Sequence, residues 1–159
     1  MVSLKWCCKQ KEGIRLIDPN ENLSKSYMKM GENALGTMNR EKNYNIVFAI
    51  SAGYYSMYYS LYSVLMKIGV KCEIHSCTLK FMKEALGEIY SQEYIKTISK
   101  AFDLRNIAQY YVDKVINIKD SEFIFAQAPL FVNISKEILY KINEKDIGML
   151  RKKFQELIK

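Results

Sequence analysis

From Asn43 to Met66 the chain carries no charged side chain. A stretch that long has two natural homes, a lipid bilayer or the interior of a helical bundle. Its chemistry selects the second. Tyr54, Tyr55, Tyr58, Tyr59 and Tyr62 fill its middle and later half, and Ser51, Ser56, Ser60 and Ser63 recur through it. Helices that cross lipid keep tyrosines at their ends, and phenols at mid-span need partners that a protein interior supplies. The expectation is a central helix over about Asn45 to Ile68, with no membrane association. Ile46, Ile50, Met57, Leu61, Leu65 and Ile68 form one stripe of it. Ala49, Gly53, Ser56, Ser60 and Ser63 form a seam of small residues that admits a close neighbour, within the chain or across a dimer. Gly69 ends the helix as a left-handed cap.

With two prolines and seven glycines in 159 residues, the rest of the chain also favours long helices. One is expected over Glu21–Glu41, capped by Asn20 or Asn22, with Leu23, Tyr27, Met30, Ala34 and Met38 on its inner face. Shorter periodic runs predict helices over about Cys77–Tyr90 (capped by Ser76), from Ser91 to about Lys114, over Ser121–Ile142 with Pro129 inside, and over Lys145–Ile158. The fold class is therefore all-α: an antiparallel up-and-down bundle of four to five long helices over residues 20–159. Residues 1–19 form a small N-terminal cap, within a single domain overall.

The formal charge is +7, a mild bias towards anionic partners. No secretory signal pattern opens the sequence, so Cys7, Cys8, Cys72 and Cys77 are expected as reduced thiols of a cytoplasmic protein. Adjacent cysteines and one histidine fit zinc-ligand spacings poorly, and no metal or cofactor is expected.

The sequence lacks a glycine-rich phosphate loop, HExxH, GxSxG and CxxC. Arg105 is the most informative single residue, a permanent cation on a stripe whose other members (Ile95, Ile98, Phe102, Ala108 and Val112) are apolar. Such a charge is either paired, with Glu32, Asp103 or Asp113 as candidates, or faces a cleft where its forked donors meet a phosphate. Tyr110 and Tyr111 follow it and either stack on a base or fill interhelical space. His75, the only histidine, precedes a predicted helix start. It either packs in its loop or touches an anion held by the free amides there.

Four segments in series, AGYYSMYYSLYSVLMKIG, IHSCTLKF, LRNIAQYY and AQAPLFV, resemble the HEPN domains of archaea and bacteria, closest to their short uncharacterised branch. The opening WCCKQKEGIRLIDPNENLSKSYMKMGENAL resembles the N-terminal part of archaeal members. The likeness runs over residues 5–140. It implies a four- or five-helix bundle, often a homodimer, and partnership with minimal nucleotidyltransferases in toxin–antitoxin systems. Many HEPN toxins are metal-independent ribonucleases marked by an arginine, a polar neighbour and a histidine further along one helix. Arg105 and Asn106 match the first two positions, and Tyr110 stands in place of the histidine, so the expected acid–base group is missing.

Three functions follow as expectations. The first is a non-catalytic module binding nucleotide or RNA through Arg105, Asn106, Tyr110 and His75, alongside a nucleotidyltransferase partner. The second is a ribonuclease in which His75 replaces the missing histidine. The third is a structural dimeric adaptor built on Gly53, Tyr55, Tyr59 and Tyr62.

Overall fold

The computed structural model describes residues 2–159. Seven helices and one two-stranded ribbon occur among them. The chain is an all-α bundle, and the uncharged stretch is its axis. That stretch forms α3 (Ile46–Ile68), which starts where the Asn45 side chain accepts from the Phe48 amide. It stops at Gly69, whose φ of 82° lies in the left-handed region that glycine adopts without strain. Seventeen of its residues are buried, so α3 is lined by protein on most sides. No helix among the described residues is long and apolar enough to cross a membrane.

Helix α2 (Glu21–Glu41) packs antiparallel on α3, with Asn20 as its N-cap. Its inner face is the predicted one only in part: Met38 is buried and Tyr27 packs against the core. Leu23 and Met30 are exposed, at 42% and 43%, while Ser24, Met28, Gly31 and Met38 are buried. The serine seam of α3 explains the rotation. Ser24 Oγ lies 3.3 Å from Ser63 Oγ, and a Cβ on Gly31 would stand 2.7 Å from Ser60 Oγ. Two helices approach this closely only where small residues meet, and periodicity that weighs large apolar residues misses such a face. Ser56 and Ser60 turn their hydroxyls onto the carbonyls of Gly53 and Ser56 in their own helix, so the seam holds no unpaired hydroxyl there.

The other elements surround this pair. Helix α1 (Leu4–Lys9) and strand β1 (Arg15–Leu16) come from the first nineteen residues, and β1 pairs antiparallel with β2 (Val70–Lys71) just beyond α3. Leu4, Cys7 and Ile14 are buried in the common core. Helix α4 (His75–Ala85) begins two residues before the predicted start; Ile74, not Ser76, occupies its cap position, and the chain turns at Leu86 instead of continuing to Tyr90. Helices α5 (Gln92–Tyr110) and α6 (Ile118–Lys141) follow, with Pro129 inside an uninterrupted α6. Helix α7 (Glu144–Leu157) opens with a reciprocal capping box between Asn143 and Asp146. Its Arg151 reaches back to donate to the carbonyls of Ile17, Ile68 and Gly69 at 2.8–3.0 Å. A cation there gives the Ile68 carbonyl a donor at the C-terminus of α3 and opposes the negative end of its dipole.

Cys7 and Cys77 are joined as a disulfide that ties α1 to α4, which corrects the expectation of four reduced thiols. Their Cα atoms are 5.6 Å apart, the spacing that this bond needs. Cys8 and Cys72 are free.

Candidate functional site

The middle of α3 meets the first turn of α4 and the last third of α5, and the contact is made almost wholly of rings. Tyr54 is fully buried and its ring lies 5.7 Å from Phe102 of α5. Tyr58 stacks face to face on His75, with centroids 4.0 Å apart and planes within 4°. Tyr55 stands on the next position of α3, and its ring is 6.0 Å from His75 in an edge-on arrangement.

Arg105 enters this cluster from α5 and is 8% exposed. Its Nη2 donates to the Tyr55 hydroxyl at 2.6 Å and its Nη1 to the Asn106 side-chain oxygen at 2.9 Å. Its guanidinium carbon lies 5.3, 5.6 and 5.7 Å from the ring centroids of Tyr55, Tyr54 and Tyr110. None of the three predicted carboxylates pairs with it. Glu32 bonds Lys136 at 2.6 Å instead, and neither Asp103 nor Asp113 joins any ion pair among the described residues. Arg105 Nε has no hydrogen-bond partner among the described residues. Burial alone would weaken the proton's hold on this guanidinium, but the Tyr55 hydrogen bond and the neighbouring phenols more than offset it, so the group holds its charge more firmly than usual. The contrast with Arg151 is instructive: that guanidinium meets three carbonyls, whereas Arg105 is a buried cation with a donor left over. An unmet buried donor costs on the order of 1–3 kcal/mol.

His75 is held by Tyr54, whose hydroxyl lies 2.6 Å from His75 Nδ1. Burial pushes the Tyr54 phenol above its ordinary range, so it keeps its proton and needs an acceptor. Among the described residues the imidazole is the one group placed to accept it, which assigns the ring proton to Nε2. Burial, with the charge of Arg105 adding to it, lowers His75 to about 4, so the ring is neutral at pH 7. Nε2 then presents a donor, as Arg105 Nε does.

The structure brings Arg105, Asn106, Tyr110, Tyr55 and His75 into one neighbourhood. Tyr110 is 67% exposed on the rim. Tyr59 is half-buried beside Tyr55, with centroids 5.5 Å apart. The other two proposed docking residues are interior. A Cβ on Gly53 would meet Ile124 of α6 and Met38 of α2, and the Tyr62 hydroxyl accepts from the Cys72 amide at 3.1 Å. The small-residue seam therefore serves contacts within the chain. Tyr54, Tyr58 and Phe102 are what residue-by-residue reading misses: they connect His75 to Arg105. The one available signal is that Tyr54 and Tyr55 occupy adjacent positions of α3 and so point to different neighbours.

A curated protein of Methanocaldococcus jannaschii named "Putative toxin MJ0142" is 27% identical to this chain over 106 residues. The match covers 60% of this chain and 67% of that protein. The chain is similar to a toxin-named archaeal protein. No family model matches it.

Proposed function

We propose that this chain is a toxin-like helical module that binds a nucleotide or RNA by gripping a phosphate at Arg105. One observation carries the reading: a nearly buried guanidinium with no carboxylate partner and an unmet Nε donor. A phosphate oxygen supplies the missing acceptor and the missing negative charge together, and the planar fork suits that anion. Asn106 and the Tyr55 hydroxyl fix the fork, His75 Nε2 adds a neutral donor, and Tyr110 offers a ring on the open side for a base. The HEPN resemblance and the toxin-named relative support the same direction. On that reading a nucleotidyltransferase is the protein partner, and a homodimer would form through the half-buried Tyr55–Tyr59 face.

Calorimetry with ATP, GTP and a short RNA tests it, on the parent chain and on Arg105→Gln with helicity checked by circular dichroism. Loss of binding in a folded Arg105→Gln protein is expected. Equal affinity in both would remove Arg105 from the site.

One observation favours a second reading, a ribonuclease. His75 shares Tyr54 with Arg105, so the chain does hold an imidazole near its arginine although Tyr110 replaces the expected one. The engaged Nδ1 weighs against it, because the nitrogen that would take a proton already accepts one from Tyr54. RNA cleavage by the parent chain that disappears in His75→Gln would reverse the order of the two readings.

A further inference from the structure

Beside the aromatic cluster, a groove of about 710 Å³ runs between α4 and α5. Leu79, Ile95 and Phe102 line it with apolar surface, and Lys80, Lys83 and Lys96 also lie along it. Lys80 pairs with Glu84 at 2.5 Å, whereas Lys83 and Lys96 join no ion pair among the described residues. Asp103 is the one carboxylate on the lining. The groove adjoins the Arg105 neighbourhood at two points. Ser76 follows His75 directly, and Phe102, a lining residue of the groove, has its ring 5.7 Å from Tyr54 and 6.3 Å from His75.

We infer that this groove carries the continuing chain of a single-stranded oligonucleotide, one phosphate of which sits at Arg105. The inference rests on the reading of Arg105 above and deepens it by giving the rest of a polymeric ligand a path. From Ser76 to Lys83, α4 rises about 10 Å at 1.5 Å per residue. That length spans about three stacked nucleotides at 3.4 Å each. Free lysines over an apolar, partly aromatic floor match a ligand whose charges repeat along a backbone and whose bases have faces to stack. An acidic peptide would meet the lysines but leave the Phe102 floor unused. The lysines act as point charges without base preference, so affinity is set by phosphate number and by salt.

The test uses fluorescence anisotropy with labelled twelve-residue oligouridylate and the matching DNA across a salt series, set beside AMP binding by calorimetry. The parent chain is compared with Lys83→Gln/Lys96→Gln, two exposed positions outside the Arg105 neighbourhood. The inference expects the twelve-mers to bind at least tenfold more tightly than AMP. In the double variant that advantage shrinks about tenfold, the slope of log affinity against log salt falls by about 1.4, and AMP binding is unchanged. RNA and DNA binding alike, or RNA binding more tightly, both agree with it. A twelve-mer no tighter than AMP, or an unchanged salt slope in the double variant, overturns the groove and leaves Arg105 standing. A polyglutamate peptide that binds as tightly as the twelve-mer also overturns it. Failure of the parent chain to bind either nucleotide or oligonucleotide overturns both readings.

Discussion

The Tyr55 hydroxyl accepts a 2.6 Å hydrogen bond from Arg105 across fifty positions of sequence, and among the described residues it is the one hydrogen bond that ties the guanidinium to another helix. With the Tyr54 ring, 5.6 Å from the guanidinium carbon, it joins the axis of the bundle to the helix that bears the candidate site. Tyr55→Phe removes the acceptor and keeps the ring. We expect a loss of about 1–2 kcal/mol in urea unfolding, the scale of a hydrogen bond to a charged group at a partly open site, and weaker nucleotide binding than the parent. Unchanged stability together with unchanged binding would show that the contact does not position Arg105.

The closeness of α2 and α3 yields a second expectation. Gly31→Leu places a side chain against Ser60 Oγ and the Ser56 carbonyl, atoms 2.7 and 3.1 Å from where its Cβ would stand. Leucine is a good helix former, so any loss comes from packing, and about 2–3 kcal/mol is expected. Gly148→Ala is the control: nothing lies within 4 Å of that Cβ, and a gain of about 0.5–1 kcal/mol is expected from helix propensity. Equal effects at the two sites would contradict the described packing.

Much of the fold is legible in the sequence because its signals are local. Asn20, Asn45 and Gly69 bound their helices through short side chains or a left-handed φ, and the absence of charge around α3 announces burial. The inner face of α2 was legible only in part, since Ser24 and Gly31 matter through what α3 places opposite them. The site divides the same way. Arg105 stands out by charge on an apolar stripe and Asn106 only through the family resemblance, but the absence of a carboxylate partner depends on Glu32 being taken by Lys136. The link to His75 depends on Tyr54 and Tyr58, which in the sequence are two tyrosines among twelve.

Acid should weaken the fold through His75. Its folded value is about 4 against an ordinary value of 6.5, so the unfolded chain binds the proton more readily. The neutral ring's contribution is complete above pH 6.5 and is lost as pH falls from 6.5 to 4. After discounting for solvent at a partly open ring, a loss of about 1–2 kcal/mol is expected across that window. Urea midpoints measured from pH 7 to pH 4 should fall less steeply in His75→Gln, and parallel curves would count against a buried neutral imidazole.

The disulfide provides a redox readout. Cys7 and Cys77 close a loop of sequence separation 70, for which chain entropy predicts about 4 kcal/mol of stabilisation. Thiol titration of the denatured, unreduced chain should find two reactive groups, Cys8 and Cys72, and four after a dithiol reductant, with a lower melting temperature in the reduced form. Four groups before reduction would contradict the bond.

The central claim is that Arg105 Nε lacks an acceptor until an anion arrives. The chain has four arginines, and a ¹H–¹⁵N spectrum of their Nε groups reads each one, with Arg105→Lys assigning the site. Addition of a short oligoribonucleotide should move the Arg105 Nε resonance downfield in proton, as a new hydrogen bond requires. Saturable binding that leaves that resonance in place would contradict the account.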